Sequence, residues 1–148
     1  MRQSILVALK DSKSSQSVVN YFARLPFQPD SLDITLLHVF RQPTAGDELM
    51  GEDFIQKEAG RVQSMLDDAK KALIEQGVDP ARIHLRLATD PYPTVTEGII
   101  DHFSRDIYHM VVIGRRKKSK SEEFVLGDVS VKLVRALEGA AVLVVKTI

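Results

Sequence analysis

The 148-residue chain contains no cysteine, and this absence excludes disulfide bonds, thiolate metal sites and a cysteine nucleophile. A chain without cysteine also suits the reducing cytoplasm, which is where we expect the protein to act. Long hydrophobic runs are lacking too. The apolar run at residues 5–9 is too short for a secretion signal or a membrane span, so we expect no membrane association.

The sequence has no excess charge of either sign, because 20 lysines and arginines balance 20 aspartates and glutamates. No overall field therefore draws the chain to nucleic acid or to a charged membrane. A basic segment at residues 115–120 lacks the interleaved aromatic residues on which bases would stack. We expect no nucleic-acid partner, and this segment is either a solvated loop or an electrostatic site for a phosphate.

Repeats, long linkers and catalytic motifs are missing as well, so residues 1–148 are expected to form one domain. The content of 44% hydrophobic and 27% charged residues is typical of a globular protein. There is no P-loop, no nucleophile elbow and no dinucleotide-binding glycine motif. The four histidines show no metal-site spacing, which favours surface or half-buried positions. We therefore predict no catalytic residues, no metal ligands and no enzyme activity.

Strand and helix patterns alternate strictly along the chain. Apolar runs predict five strands, at residues 5–9, 32–39, 83–87, 110–113 and 140–145. The third strand alternates apolar residues with His84 and Arg86, which is typical of an edge strand. With right-handed crossovers, the alternation predicts an α/β fold with a doubly wound, five-stranded parallel sheet and helices on both faces. The flavodoxin-like strand order would be 3-2-1-4-5.

Capping and stop residues set the expected limits of the helices between these strands. Ser12, Ser14 or Ser15 is expected to cap the first helix, and Pro26 is expected to end it. The third helix should open with a capping box at residues 94–97. Glycines are expected to close the second and fourth helices, at Gly77 and Gly139.

The last third of the sequence contains the pattern that bears most on function. The fourth predicted strand ends at Gly114, a mostly polar segment follows, and Gly127 precedes the last helix. In α/β sheets, ligands bind at the carboxyl ends of the strands, where N–H groups at a helix start can hold an anion. The segment 40–51 is long for a connection and is either a lid over this end of the sheet or a surface loop.

These residues resemble the C-terminal signature of the universal stress protein family. That signature consists of Gly, two residues, Gly, nine residues, Gly and then Ser or Thr. Gly114 and Gly127 match its first and third glycines with the spacing intact, whereas Lys117 replaces the second glycine and Asp128 replaces the Ser or Thr. The resemblance covers the whole chain, because the first, second, fourth and last predicted strands follow in the family's order.

The resemblance implies an adenine-nucleotide crevice with altered chemistry. Family members that bind ATP hold the adenosine with an Asp after the first strand, where this chain has Lys10 and, one residue later, Asp11. The backbone of Val39 would meet the adenine, and Ser130 would offer a hydroxyl. The candidate nucleotide-binding residues are Lys10, Asp11, Val39, Gly114, Arg115, Lys117, Gly127, Asp128, Val129 and Ser130.

Three functions are compatible with this pattern. The resemblance favours a non-catalytic, dimeric stress-response protein whose degenerate crevice binds ATP weakly or not at all. The first alternative is a stress protein that takes ATP or another adenine nucleotide through the loop between Gly114 and Gly127. The second alternative is an enzyme of the adenine-nucleotide hydrolase type, which fold analogy alone supports.

The last predicted strand is expected to form a homodimer interface. In the order 3-2-1-4-5 it lies at an edge, yet it lacks the charges and prolines that protect exposed edges. Many members of the family pair this strand with its copy, which gives a two-fold contact. The candidate interface residues are Val142, Leu143, Val144 and Val145. Other protein partners are not identified by any sequence feature.

Lys10 and Asp128 are expected to face one another across the crevice. Lys10 follows the first strand and Asp128 begins the last helix, so the two would lie on opposite walls if the first and fourth strands are neighbours. The hypothesis is that their charges approach directly or through one water and fill the volume that ribose and phosphate would take. Such a pair would exclude ligand more than it would stabilise the fold.

Overall fold

The computed structural model describes residues 2–41, 51–116 and 129–147, and within these ranges the chain forms five strands and four α-helices. The strands are β1 (Gln3–Ala8), β2 (Leu32–Arg41), β3 (Ile83–Tyr92), β4 (Met110–Arg116) and β5 (Ala141–Thr147). The helices are α1 (Ser12–Ala23), α2 (Glu52–Glu75), α3 (Val95–Arg105) and α4 (Val129–Ala136). Single 3₁₀ turns at Pro29–Ser31 and Pro80–Arg82 lead into β2 and β3.

The five strands form one parallel sheet in the order β3-β2-β1-β4-β5, which confirms the predicted topology. β1 is central, with Ala8 paired to Leu37 of β2 on one side and to Ile113 of β4 on the other. Successive strands are therefore added to one side of β1 as far as β3, and then to its other side from β4 onwards, so the order of winding reverses between β1 and β4. Since the carboxyl ends of parallel strands share one edge, the residues after β1 meet the end of β4 at this reversal.

Two apolar layers hold the helices against the two faces of the sheet. Successive strand residues point to opposite faces, so Leu36 packs under α1 and α2, whereas Leu37 packs under α3 and α4. Leu66 of α2 and Leu133 of α4 are fully buried in these two layers. Helices on both faces leave β1, β2 and β4 covered on both sides, which explains their continuous apolar sequences.

Two boundaries of α1 differ from the sequence prediction. Asp11, rather than a serine, caps the helix: its carboxylate accepts a hydrogen bond of 2.8 Å from the backbone N–H of Ser14. Ser12 is already the first helical residue, because Asp at the preceding position offers the equally favourable acceptor. The helix ends at Ala23, three residues before Pro26, so the proline does not define its end.

The limits of two strands and one helix also differ from the sequence prediction. β3 runs on through Pro91 to Tyr92, which an edge strand tolerates because one side of its backbone has no partner strand. β4 continues through Gly114 to Arg116, because β5 supplies a pairing partner along the whole length. The last helix ends at Ala136, and Gly139, at φ 70°, lies in the turn into β5 rather than at the helix end.

Other sequence signals behave as predicted. Gly77 follows the end of α2 at φ 97°, and the Thr94 hydroxyl accepts a hydrogen bond of 3.2 Å from the N–H of Glu97 at the start of α3. In the described part of the chain, no helix has both the length and the hydrophobicity needed to cross a bilayer. The predicted lid falls mostly on residues 42–50, outside the described ranges.

Candidate functional site

The candidate site is the crevice at the carboxyl ends of β1 and β4, where the order of strand winding reverses. Lys10 and Asp11 form the connection from β1 to α1, Val39 lies near the end of β2, and Gly114 and Arg115 belong to the end of β4. The strand register brings these segments to one edge, because Ala8 is level with both Leu37 and Ile113. We call this set of segments the carboxyl-end crevice.

The β1 wall of the crevice presents a cation and a carboxylate that is already engaged. The Asp11 carboxylate accepts hydrogen bonds from the Ser14 backbone N–H at 2.8 Å and from the Ser14 hydroxyl at 2.9 Å. Ser14 is buried, so these bonds fix the first turn of α1. Lys10 is exposed beside it. Asp11 is thus a helix cap, and Lys10 is the residue whose charge is directed to solvent.

Gly114 and Arg115 are strand residues rather than loop residues. Gly114 pairs with Val145 and Arg115 pairs with Lys146, so the expectation that β4 stops at Gly114 is wrong. The rest of the predicted glycine-bounded segment, residues 117–128, lies outside the described ranges. The ends of β1, β4 and β5 carry Lys10, Arg115 and Lys146, all positive, although the whole chain has a formal net charge of +0. Such a concentration of cations favours an anionic ligand at this edge.

Three of the predicted site residues, Lys117, Gly127 and Asp128, lie outside the described residues. The proposed approach of Lys10 and Asp128 therefore stays a prediction. Val129 and Ser130 are the first two residues of α4 and are half-buried. They stand at the start of α4, and the N–H groups at a helix start are where an anion is expected to bind.

Val39, near the end of β2, is fixed by packing. Its side chain is 5% exposed and belongs to the layer between the sheet and α3. Gly98 of α3 comes so close that a Cβ on it would overlap Cγ1 of Val39 and would lie 3.0 Å from Cδ2 of Tyr92. The absence of a side chain at Gly98 therefore lets α3 approach the sheet at this end of the crevice.

His38 also lies at the carboxyl-end crevice, although the sequence pattern did not single it out as a site residue. Its Nδ1 lies 2.7 Å from the carbonyl oxygen of Leu9, the residue directly before Lys10. Burial lowers the pKa of His38 below its ordinary value, while the bond to Leu9 and the charge of Glu58 act in the opposite direction. A polar residue inside the apolar run of β2 was the available signal, because a buried polar group needs a partner.

A second cluster of charged side chains joins the end of β3 to α3. The Tyr92 hydroxyl donates to Asp101 at 2.5 Å, and Arg105 donates to the same carboxylate at 2.8 Å. These two bonds hold the pKa of Asp101 below its ordinary value. Arg105 also lies 3.6 Å from Asp90, so the cluster ties α3 to the end of the edge strand.

His102 lies beside this cluster and is buried, with 3% of its surface exposed, which corrects the expectation of half-buried or surface histidines. Burial and then the charges of Arg105 and Arg86 lower its pKa. Its Nε2 has no hydrogen-bond partner among the described residues. Nor do the described ranges contain a group of three or more histidine, aspartate or glutamate residues able to hold a metal ion.

A model of the universal stress protein family matches residues 1–146 of the sequence. The chain belongs to the universal stress protein family. The match agrees with the glycine pattern around Gly114 and Gly127 and with the sheet order. Comparison of the sequence with curated proteins found no match.

Solved structures of universal stress proteins have the same fold. The universal stress protein UspA from Lactobacillus plantarum is 15% identical, with a TM-score of 0.71 over 98% of this chain and 99% of that chain. A universal stress protein in complex with cAMP is 17% identical, with a TM-score of 0.69 over 99% and 98% of the two chains. A universal stress protein from Archaeoglobus fulgidus in complex with dAMP is 16% identical, with a TM-score of 0.59 over 97% and 98%. At these identities the likeness concerns the fold.

Proposed function

We propose that this universal stress protein is a non-catalytic, cytoplasmic ligand-binding protein whose carboxyl-end crevice takes an adenine nucleotide only weakly. The observation that carries the proposal is the charge and bonding of Lys10 and Asp11 on the β1 wall. Asp11, the carboxylate nearest the position from which relatives hold adenosine, is hydrogen-bonded to Ser14 as a helix cap. Lys10 presents the opposite charge at that position.

The ligand class is supported by the complexes of the two similar proteins with cAMP and dAMP. Arg115 and Lys146 at the ends of β4 and β5 favour the phosphate of such a ligand, and the start of α4 offers N–H groups for it. The contact to adenosine is the weakened one. Losing a charged hydrogen bond costs about 1–3 kcal/mol, and an Asp128 carboxylate beside the phosphate would oppose binding by a similar amount.

We therefore expect isothermal titration calorimetry to give a dissociation constant for ATP between about 30 μM and about 20 mM, because two such losses together weaken a micromolar site by about 1.5 to 4 powers of ten. Lys10→Asp should strengthen binding about tenfold, and Lys10→Asp combined with Asp128→Ser should strengthen it further. Lys13→Asp is the matched control, since Lys13 is equally exposed but lies within α1. A wild-type dissociation constant at or below about 1 μM would contradict weak binding.

The absence of catalysis is proposed together with weak binding. The titratable side chains described at this edge include Lys10, Asp11, His38, Arg115 and Lys146, and the Asp11 carboxylate is occupied by the helix cap. Glu58, whose charge acts on His38, is paired with Arg61. No described carboxylate is thereby left to activate a water next to a bound phosphate. Incubation with ATP should release phosphate no faster than buffer does. Release that depends on the protein and is lost in His38→Asn would instead favour the adenine-nucleotide hydrolase alternative.

A homodimer through β5 is the proposed assembly. β5 is an edge strand, Val142, Leu143 and Val144 are half-buried there, and Val145 is buried in the core of its own subunit. On α4, which packs against β5, Val134 is 62% exposed. An unprotected strand edge beside an exposed apolar side chain favours pairing with a second copy.

We expect light scattering to show a dimer at micromolar concentration. Val134→Glu should raise the dimer dissociation constant about a hundredfold, since burying an unpaired charge costs about 3 kcal/mol. Ile74→Glu is the matched control, because Ile74 is also an exposed aliphatic residue but lies at the end of α2, which packs over β2 and β3. A monomeric wild-type protein, or an equal effect of the two variants, would contradict this assembly.

A further inference from the structure

His38 takes the position of the next rung in the pairing between β1 and β2. The Leu9 N–H donates to the Leu37 oxygen at 2.8 Å, which continues the parallel ladder one residue past Ala8. In a regular parallel ladder the Leu9 carbonyl would then accept from the N–H of Val39. Here it meets Nδ1 of the His38 side chain at 2.7 Å. The side chain thus substitutes for a backbone donor at the point where β1 ends.

The residue held in this way is the last one before the β1 wall of the crevice. Both polar backbone groups of Leu9 are bonded to β2, and its side chain is 3% exposed. Lys10 follows directly, and then Asp11 caps α1. The path of the chain from Leu9 to the first turn of α1 therefore starts from a fixed point and ends at a fixed cap.

We propose that His38 is a positioning residue of the carboxyl-end crevice: its Nδ1–H···O bond to Leu9 holds the turn that runs through Lys10 and sets the position of the start of α1 relative to a bound nucleotide. This inference rests on the proposed function, since it concerns how the same crevice binds adenine nucleotide. His38 acts through the backbone of Leu9, and no contact of its own with the ligand is required.

The geometry fixes the chemical form of His38. A carbonyl oxygen only accepts hydrogen bonds, so Nδ1 must bear the hydrogen, and in the neutral ring Nε2 must bear the lone pair. The bond also survives protonation, because Nδ1–H is present in the imidazolium. The ring is further held by an edge-on contact with Phe40, whose ring centre lies 4.9 Å away. The turn is therefore expected to keep its position across the pH range in which His38 titrates.

Two variants of equal size separate the hydrogen bond from the volume of the side chain. In His38→Asn, the amide nitrogen can occupy the place of Nδ1 and donate to Leu9, whereas His38→Leu has the same branched shape and no donor. AMP binding measured by calorimetry should weaken about 3- to 10-fold in His38→Leu, which corresponds to the net contribution of one hydrogen bond. In His38→Asn it should stay within about twofold of wild type.

Amide hydrogen exchange gives a readout that does not need a ligand. The Leu9 amide and the amides of Ser14 and Ser15, which bond to Asp11, should exchange faster in His38→Leu than in His38→Asn at equal global stability. Nitrogen-15 spectra of wild-type His38 should show a protonated Nδ1 in the neutral ring. Faster exchange and weaker binding in the leucine variant alone would support the positioning role.

Several results would overturn the positioning role of His38. Equal affinities and equal exchange in the two variants would show that only volume matters at this position, and a neutral ring protonated at Nε2 would remove the proposed bond. A stability loss in His38→Leu without a change in affinity would reduce His38 to a structural residue. If the wild-type protein binds no adenine nucleotide, the proposed function fails, and the exchange and nitrogen-15 results then decide whether His38 positions the turn.

Discussion

Replacing Gly98 with alanine is expected to lower the free energy of unfolding by about 1–3 kcal/mol, although alanine is ordinarily the better helix former. Gly98 lies inside α3, where it faces the ends of β2 and β3. A Cβ at this position would overlap Cγ1 of Val39 and would lie 3.0 Å from Cγ2 of Val39 and from Cδ2 of Tyr92. The helix must then move away from the sheet or the two side chains must shift.

Neither side chain can shift cheaply. Val39 is β-branched and 5% exposed, so its rotamer is limited by its own backbone and by the surrounding core. Tyr92 is held by its hydroxyl, which donates to Asp101 and accepts from Arg105. A shift of the Tyr92 ring would therefore disturb the bonds that tie α3 to β3. The strain is consequently expected to appear as lost stability rather than as a local adjustment.

Gly60 provides the matched control, because it lies in the middle of α2 and a Cβ there would meet nothing within 4 Å. Gly60→Ala should raise the free energy of unfolding by up to about 1 kcal/mol, the usual gain in helix propensity. Chemical unfolding of both variants measures the difference. Equal or favourable effects of the two substitutions would show that α3 does not approach Val39 as closely as described.

The fold was predictable because hydrophobic patterning determines it. The continuous apolar sequences of β1 and β4 require cover on both faces, and the alternation around His84 and Arg86 places β3 at an edge. These features depend on short stretches of sequence. The nearly invariant handedness of the crossovers then favours a doubly wound sheet, for which 3-2-1-4-5 is the flavodoxin-like strand order.

Details that depend on distant neighbours were not predictable. The length of β4 beyond Gly114 depends on pairing with β5, and the closeness of Gly98 to Val39 depends on how α3 lies on the sheet. The capping role of Asp11 is a local feature, yet several serines follow it, and sequence alone did not rank these acceptors. The sequence around His102 is typical of a surface residue, although the packing of α3 in the folded chain buries it.

For the candidate site, too, the location was predictable from the sequence, whereas part of the chemistry was not. The place of the crevice follows from topology, because a parallel sheet with this order has its reversal between β1 and β4. The chemistry of the crevice depends on single side chains. Lys10 could be named from the sequence, whereas the bond from His38 to Leu9 joins residues 29 positions apart and appears only in the folded chain.

Acidification from about pH 7.5 to about pH 5 is expected to lower the free energy of unfolding, because two histidines have folded-state pKa values below their ordinary value of about 6.5. Burial is the main cause for both His38 and His102. For His102, the positive charges of Arg105 and Arg86 act in the same direction, and the carboxylates of Asp101 and Asp90 oppose them. The neutral form of each ring is therefore favoured in the folded protein.

The sign follows from counting protons. As the pH falls through about 6.5, histidines of the unfolded chain take up protons that the folded chain does not bind, so the unfolded state gains stability. The histidine contribution is fully present above this pH and is lost below it, until the folded-state pKa is reached. Each extra proton bound by the unfolded chain lowers stability by about 1.4 kcal/mol per pH unit.

His102→Asn removes one of these titrations, so its stability should decline less steeply with acid than that of the wild-type protein. Asparagine keeps a polar side chain at a position where only 3% of the histidine surface is exposed, and a lower stability at neutral pH does not affect the slope. Urea unfolding at a series of pH values measures that slope. His38→Asn should likewise flatten the curve, because burial lowers the pKa of His38 as well. Parallel pH curves for His102→Asn and the wild-type protein would contradict the assignment and would place the acid sensitivity elsewhere in the chain.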